Sequence, residues 1–251
     1  MIYIVTHKKF EPLGEKKFYQ PLLVGADNNG CSDYKLRDNQ GENISNKNSS
    51  FCELTGLYWV WKNQHDDLIG LCHYRRYFAK RQLTGKNCIL RQKEIENILK
   101  SNDIILPKKR WFSGKTAKKF YSKFHNIDDW NNMKKIMINL YPDYQEDIDW
   151  FEEEKSGYCY NMFITSRSLL NEYCEWLFRI LFELEKLVDL QEYGAYNRRI
   201  YGFLAERMIN IWVHHNNLKV YEMPVYNPEL ISMLANKSKN YINRKIRRIK
   251  W

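Results

Sequence analysis

Residues 69–77 read IGLCHYRRY, an apolar run that leads directly into a histidine and two arginines. Its length and composition predict a buried β-strand within residues 66–78. Guanidinium groups pair with phosphate oxygens in a fork geometry, so the strand end at His73, Arg75 and Arg76 is a candidate clamp for a diphosphate. The alternative is a strand that reaches the surface and carries a salt-bridged arginine.

Strand-like runs alternate with helical stretches along the rest of the chain. Strands are predicted at residues 2–8, 19–26, 66–78, 103–109, 158–166 and 218–227, and helices at 51–64, 92–102, 167–187 and within 194–216. This alternation predicts an α/β fold with a mostly parallel central sheet flanked by helices. Ligands of such sheets bind beyond the carboxyl ends of the strands. The strand tips at His7, Lys8, His73–Arg76 and Asn161 are therefore candidates for one shared site.

Residues 27–50 are rich in Asn, Asp, Ser and Gly and form a predicted loop that is long for a plain connection. Asp38, Asn43 and Ser45 are its candidate sugar-binding residues, because their side chains can bind sugar or ribose hydroxyls. The alternative is that they cap tight turns within a structured loop.

Glu206 lies in the helical sequence GFLAERM, with apolar neighbours on both sides. A partly buried carboxylate is a candidate general base. The alternative is an ion pair with Arg198, Arg199 or Arg207. Asn161 lies within an apolar strand and needs hydrogen-bond partners, which an acceptor sugar or two backbone segments could supply.

The composition suits a folded protein of one moderate domain. The chain has 251 residues, 44% of them hydrophobic and 15% aromatic, which is enough for a core. Six cysteines without a CxxC pair indicate free thiols in a reducing compartment. Residues 1–8 do not resemble a signal peptide, and no apolar run is long enough to cross a membrane, so we expect a cytoplasmic protein.

Several catalytic signatures are missing from the sequence. It contains no P-loop, GxGxxG, GxSxG or HExxH motif. The sequence Asp147–Ile148–Asp149 is a DxD motif, but its acidic context predicts a helix surface and not a metal site. His214 and His215 follow a helix and are expected to lie at a surface turn.

The net charge of +10 is concentrated at the C-terminus. Residues 237–251 carry seven basic residues and no acidic ones. Ile242, Ile246 and Ile249 fall on one face of a helix, which is typical of a basic amphipathic segment at an anionic membrane. Nucleic acid, which no accompanying motif supports, and a solvated tail are the alternatives. We therefore divide the chain into one domain, residues 1–227, and a tail, residues 228–251.

Six segments taken together resemble a known family. They are IYIVTHK (2–8), GENISNKNSSFCELTGLYWVWKN (41–63), IGLCHYRRYF (69–78), ILPKKR (105–110), YNMFI (160–164) and YGFLAERM (201–208). In this order they resemble bacterial capsular and exopolysaccharide biosynthesis proteins, a family formerly described as a domain of unknown function. Its members are regarded as glycosyltransferases, and galactofuranosyltransferase activity is associated with them. The resemblance extends from residue 2 to about residue 227.

The resemblance implies a GT-A-like nucleotide-binding sheet with acceptor contacts in the C-terminal half. His73, Arg75 and Arg76 would stand where GT-A enzymes usually carry a metal-binding DxD motif, so a Mn²⁺ or Mg²⁺ cofactor is not favoured. Thr6, His7 and Lys8 would lie near the nucleotide. Glu206 would match the catalytic base of inverting members.

The function expected from these features is transfer of a hexose, with galactofuranose as one candidate, from a UDP-sugar to a lipid-linked capsular, exopolysaccharide or O-antigen acceptor. The tail would hold the protein at the inner face of the plasma membrane, and no nucleic acid partner is expected. The alternatives are an enzyme for another hexosyl or phosphosugar group, and a non-catalytic sugar- or nucleotide-binding partner of a polysaccharide assembly complex.

Overall fold

A computed structural model describes residues 1–31, 33–81 and 88–233. Its strands in chain order are β1 (Ile2–Thr6), β2 (Tyr19–Leu23), β3 (Leu36–Arg37), β4 (Leu68–His73), β5 (Tyr77–Phe78), β6 (Ile104–Pro107), β7 (Arg110–Trp111), β8 (Ser156–Gly157), β9 (Phe163–Ser166), β10 (Val220–Met223) and β11 (Val225–Tyr226). The predicted C-terminal tail from residue 234 onward lies outside the described residues.

Seven of these strands form the central sheet, in the order β10-β6-β9-β4-β1-β2-β3. All neighbouring pairs are parallel except those of β9, which runs antiparallel to both β4 and β6. The predicted mostly parallel α/β sheet is confirmed. The orientation of β9 places its first residues at the same edge as the carboxyl ends of the other six strands.

Helices cover the sheet. They are α1 (Asn48–Phe51), α2 (Leu54–Asn63), α3 (Gln92–Leu99), α4 (Ala117–Ser122), α5 (Ile127–Leu140), α6 (Gln145–Glu153), α7 (Arg167–Glu185) and α8 (Ile200–His215). The helix predicted over residues 51–64 is present as α2, but it begins at Leu54, because the φ of 53° at Cys52 is incompatible with a right-handed helix and separates α2 from α1.

The two faces of the sheet bury separate apolar clusters. The larger cluster includes Trp130 and Tyr201 and packs α2, α5, α7 and α8 against one face. The smaller one includes Tyr77, Phe78 and Ile95 and lies on the other face. Strands buried on both sides explain why β1 and β4 read as continuous apolar runs in the sequence.

Asp38 fastens the long loop to the sheet and to α2. The side chain is fully buried, and its carboxylate accepts hydrogen bonds from the backbone N–H groups of Gly25 (2.8 Å) and Ala26 (3.0 Å). The hydroxyl groups of Ser45 and Thr55 donate to it as well, each at 2.6 Å. Four donors therefore depend on one carboxylate, so Asp38 has a structural role in the loop.

We predict that Asp38→Ala destabilises the protein by about 3 kcal/mol, because it leaves several buried donors without partners. The free energy of unfolding from urea titrations measures this loss. Asn39→Ala is the matched control, since the side chain of Asn39 makes a single solvent-exposed bond to Asp27 at 3.1 Å, and the substitution should cost about 0.5 kcal/mol or less. A stable Asp38→Ala protein with weakened sugar binding would contradict the structural role and support the role in sugar binding.

Two further features bear on the sequence-based expectations. All six cysteines are free thiols. Within the described ranges, no helix is both long enough and apolar enough to cross a membrane.

Candidate active site

A pocket of about 740 Å³ opens at the carboxyl edge of the sheet. It lies where β1 and β4 end and where the chain enters β9, and α8 and the α4–α5 region form its other walls. Its lining includes the side chains His7, His73, Arg75, Arg76, Arg110, Tyr160, Arg199 and Glu206. Its volume is in the range of pockets that hold small-molecule ligands.

A tight turn brings the two adjacent arginines to the same pocket. The backbone groups of His73 and Arg76 bond to each other in both directions, at 2.9 and 3.2 Å, so the strand breaks after His73. The N–H of Tyr74 donates to the carbonyl of Val5 at 3.1 Å and fixes the turn to the end of β1. In a continuous strand Arg75 and Arg76 would point to opposite faces.

The pocket holds a cluster of positive charge. Arg75, Arg76, Arg110 and Arg199 all line it, and none of these four forms an ion pair with a described residue. The guanidinium groups of Arg76 and Arg110 lie 4.2 and 5.8 Å from the centre of the Tyr160 ring. Burial lowers the pKa of Arg76, and the neighbouring Arg75 adds to this effect. Such a cluster suits an anionic ligand.

His73 is not part of this positive charge. Burial, together with repulsion from Arg76, lowers the pKa of His73 to about 3, so the imidazole is neutral at pH 7. Its Nδ1 lies 3.3 Å from Nη1 of Arg76, which is a donor, so Nδ1 acts as the acceptor. The cationic role predicted for His73 is therefore replaced by a positioning role towards Arg76.

We predict that His73 makes the protein less stable in acid. Its folded pKa lies below the unfolded value, so its contribution is complete above about pH 6.5 and is lost as the pH falls towards 3. Between pH 7 and pH 5 this loss amounts to about 2 kcal/mol.

His73→Asn keeps an acceptor near Arg76 but does not titrate in this range. Its unfolding free energy should decline less between pH 7 and pH 5 than that of the wild type. The exposed His65→Asn is the matched control. Equal slopes in the wild type and His73→Asn would show that His73 is not held neutral.

Helix α8 presents Glu206 to the pocket. Phe203 and Glu206 are three residues apart on one face of the helix, and both line the pocket together with Arg199, the residue just before α8. Oε2 of Glu206 accepts a hydrogen bond from Arg207 at 3.1 Å. The side chain of Arg207 is 7% exposed and that of Glu206 is 21% exposed, so the carboxylate is reachable from the pocket while its partner is buried.

The sequence left two alternatives for Glu206, a general base facing a ligand and an ion pair with an arginine, and the structure is compatible with both. It forms the ion pair that its neighbouring arginines suggested, with Arg207, and it also faces the pocket. No described residue forms a hydrogen bond to its Oε1. One carboxylate oxygen is thus held in place while the other is open to a ligand.

A second carboxylate, Glu53, also lines the pocket. It accepts a 2.6 Å hydrogen bond from Nδ2 of Asn161, which also donates to the carbonyl of Gly202 at 3.1 Å. Asn161 itself is buried, and its Oδ1 finds no partner among the described residues. Asn161 lies just before β9 and not within a strand as predicted, and it ties this segment to the start of α2 and to α8. This corresponds to the second of the two roles considered for it.

An aromatic wall forms the side of the pocket beyond Glu206. Its members, which we call the aromatic wall throughout, are Phe120, Phe124, His125, Tyr196 and Phe203. The ring centres of His125 and Phe203 lie 4.2 Å apart, and those of Tyr196 and Phe203 lie 5.1 Å apart. Phe124 is 49% exposed and Tyr196 is 58% exposed, so the wall continues to the protein surface.

Two residues beside the pocket have unfavourable backbone conformations. Cys52 has a φ of 53° and Tyr160 a φ of 73°, values that favour glycine. The Cys52 thiol accepts a 3.2 Å hydrogen bond from Nε of Arg199, and burial raises its pKa to about 11. Cys52 packs closely against α8 because residue 202 is a glycine. A Cβ atom at that position would lie 3.3 Å from the Cβ of Cys52.

Six of the predicted site residues lie outside the pocket lining: Asn161, described above, and five others. Thr6 is buried, and its hydroxyl donates to the carbonyl of Lys8 at 2.6 Å. Lys8 forms an exposed ion pair with Glu229 at 3.0 Å. Asp38 and Ser45 bond to each other, and Asn43 accepts from the N–H of Ser45 at 3.1 Å. These five residues shape the strand end and the loop and do not face the pocket.

Arg110, Tyr160, Arg199 and Glu53 line the pocket but were not predicted from the sequence as ligand-binding residues. Arg110 follows the end of β6, so its position at the carboxyl edge could have been inferred from the strand assignment. Arg199 is the residue just before α8, the helix that carries Glu206. Tyr160 and Glu53 carry no comparable sequence signal, because tertiary packing places them.

The acidic DxD sequence lies away from the pocket. Asp147 accepts from the Nδ1 atoms of His214 (2.5 Å) and His215 (2.7 Å), and Asp149 pairs with Lys134 at 2.5 Å. Residues 1–31, 33–81 and 88–233 contain no group of three or more His, Cys, Asp or Glu side chains arranged to hold a metal ion.

Comparisons with known proteins agree with this architecture. Residues 1–217 match the family model described as "Domain of unknown function (DUF4422)", and no match was found among curated proteins. The solved apo structure of WbbM, a bifunctional glycosyltransferase, aligns with a TM-score of 0.82 and 31% sequence identity. The alignment covers 90% of this chain and 45% of the WbbM chain, so the protein spans less than half of that relative.

The fold is that of an α/β protein similar in structure to a solved glycosyltransferase. The chain belongs to the DUF4422 family. The findings support the resemblance to a glycosyltransferase-like family that was inferred from the sequence motifs. The capsular and exopolysaccharide role and the galactofuranose specificity stay predictions.

Proposed function

We propose that the protein is a glycosyltransferase that moves a hexose from a UDP-sugar to a lipid-linked polysaccharide acceptor, with inversion at the anomeric carbon. The observation that supports this most is the cluster of four arginines that form no ion pair with any described residue and share one pocket with Glu206. The similarity to a bifunctional glycosyltransferase supports the same class of reaction. Galactofuranose is the candidate sugar suggested by the sequence resemblance.

The arginine half of the pocket would bind the diphosphate of the donor. When the bond between the anomeric carbon and the phosphate oxygen breaks, negative charge develops on the departing UDP. Arg75 and Arg76, held by the turn at the end of β4, would stabilise that charge through charge-assisted hydrogen bonds. His7, at the end of β1, lines the same half.

Glu206 would act as the base. Its open carboxylate oxygen would accept the proton of the acceptor hydroxyl while the hydroxyl oxygen attacks the anomeric carbon. The Arg207 pair fixes the orientation of the carboxylate, and α8 sets its distance from the arginines. Glu53 is the second carboxylate of the pocket, and its bond to Asn161 gives it a positioning role.

The aromatic wall would bind the acceptor sugar. Phe203 precedes Glu206 by one helical turn, so a sugar whose hydroxyl reaches Glu206 would lie against Phe203 and Tyr196. Flat amphipathic rings suit the apolar face of a sugar. The exposed end of the wall leaves room for a longer glycan.

We predict selective, metal-independent binding of the donor nucleotide. UDP should raise the melting temperature more than GDP or CMP, because a ligand that binds the folded state stabilises it. The shift should persist in EDTA, since arginines would hold the diphosphate. A shift that appears only with added Mn²⁺ would contradict this part of the proposal.

Variants of the arginines sharpen this experiment. Arg75→Gln and Arg76→Gln should each weaken UDP binding about 10- to 100-fold, as expected for the loss of a charge-assisted hydrogen bond. Arg179→Gln, an exposed arginine on α7, is the matched control and should bind UDP as the wild type does. No nucleotide-dependent shift in the wild type would overturn the transferase proposal.

We predict that Glu206→Gln lowers the rate of sugar transfer at least about 100-fold, because the amide cannot accept the proton. UDP affinity should stay within about twofold of the wild type. UDP release in the presence of a panel of UDP-sugars and an acceptor measures turnover. Near-normal turnover of Glu206→Gln would eliminate its role as base.

Glu53→Gln is the control for the second carboxylate. Its amide oxygen can still accept the bond from Asn161, so we expect less than a tenfold loss of rate. A larger loss in Glu53→Gln than in Glu206→Gln would transfer the base role to Glu53. Nucleotide binding without turnover of any donor would favour the non-catalytic binding partner.

A further inference from the structure

One continuous segment beside the pocket, residues 108–124, concentrates positive charge on the described surface. It contains seven Lys or Arg residues and no Asp or Glu. Residues 237–251 contain another seven basic residues, so subtracting both segments from the net charge of +10 leaves −4 for the rest of the chain. The positive charge is therefore concentrated in these two segments, and the remaining sequence is slightly acidic.

The buried side chains of this segment hold it rigidly while its cationic side chains face the solvent. Phe112 and Tyr121 are buried in the core, and the N–H groups of Phe112 and Ala117 donate to the carbonyls of Lys155 (2.8 Å) and Glu154 (2.7 Å). Phe112 and Phe120 stack at 5.0 Å. The segment is thus a fixed part of the folded domain.

Four lysines of the segment, at positions 108, 115, 119 and 123, are exposed and form no ion pair with any described residue. Lys118, in contrast, pairs with Glu152 at 3.0 Å. Two large aromatic side chains accompany them at the surface, since Trp111 is 62% exposed and Phe124 is 49% exposed. We call the surface formed by these four lysines, Trp111 and Phe124 the basic aromatic face.

We propose that the basic aromatic face binds an anionic phospholipid bilayer. Lysines attract anionic headgroups, and Trp and Phe side chains enter the boundary between headgroups and acyl chains. A nucleic acid would use the same lysines, but the exposed Trp111 and Phe124 favour the bilayer. This surface lies within the folded domain and is separate from residues 237–251.

The position of the face links it to the pocket. Arg110, Phe120 and Phe124 belong to the segment and also line the pocket, so binding at the face would bring the pocket entrance close to the bilayer. This consequence rests on the proposed function, because a lipid-linked acceptor would then reach the aromatic wall. The bilayer binding itself can be measured without any donor or acceptor sugar.

The test is sedimentation of the full-length protein with vesicles containing one-third phosphatidylglycerol in phosphatidylcholine. A variant with Gln at Lys108, Lys115, Lys119 and Lys123 should partition at least about tenfold more weakly than the wild type, since each lysine contributes about fivefold near an anionic surface. The matched control carries Gln at Lys16, Lys17, Lys93 and Lys100, which are exposed lysines elsewhere on the protein. Both variants lose four charges and keep the C-terminal segment.

A selective loss in the first variant supports the proposal. Equal losses in both variants, or none in either, would overturn it, because binding would then follow net charge or residues 237–251. Retention of an oligonucleotide without partitioning into vesicles would also overturn it and point to nucleic acid. Circular dichroism melting of both variants checks that each is folded.

Insertion of Trp111 gives an independent measurement. Lipids with brominated acyl chains quench tryptophans that enter the bilayer, so Trp111→Phe should lose most of the quenching seen in the wild type. Trp251→Phe, at the C-terminal end, is the matched control and should keep it. Quenching that depends on Trp251 and not on Trp111 would overturn the proposal.

Discussion

The two-residue turn between His73 and Arg76 is the constraint on which the pocket depends. Its backbone bonds end β4, and the bond from Tyr74 to Val5 fixes it to the end of β1. Because the strand stops there, two consecutive arginines face the same pocket instead of opposite faces of a strand. His73 remains neutral beneath them and offers Arg76 an acceptor without adding charge.

Electrostatic balance in the pocket follows from this arrangement. Within the part of the chain that the structure describes, the arginines at the sheet edge form no ion pair, whereas the carboxylate of Glu206 is held by the buried Arg207. Positive charge is thus available to an anionic ligand, and a single carboxylate oxygen is available to a proton. The aromatic wall adds an uncharged surface on the other side of Glu206. A pocket divided in this way suits two substrates that meet at one carboxylate.

Much of the architecture was predictable because it depends on local periodicity. Apolar runs at β1 and β4 and the helical spacing along α7 and α8 are visible in the sequence, and the mostly parallel sheet follows from their alternation. The break at Cys52 was missed, because a cysteine with positive φ leaves no sequence pattern, and its close approach to Gly202 exists only in the folded chain. Asp38 looked like a ligand-binding residue, since burial under a loop cannot be distinguished from exposure by residue type.

The sequence by itself determined the α/β class, the strand ends where polar residues gather, and the candidates His73, Arg75, Arg76 and Glu206. These features depend on short-range order and on the rule that parallel strands end at one edge. The tertiary structure decided which candidates face the pocket and added Arg110, Tyr160 and Arg199 from distant elements. It also decided the charge of His73, because desolvation and the proximity of Arg76 exist only in the folded chain.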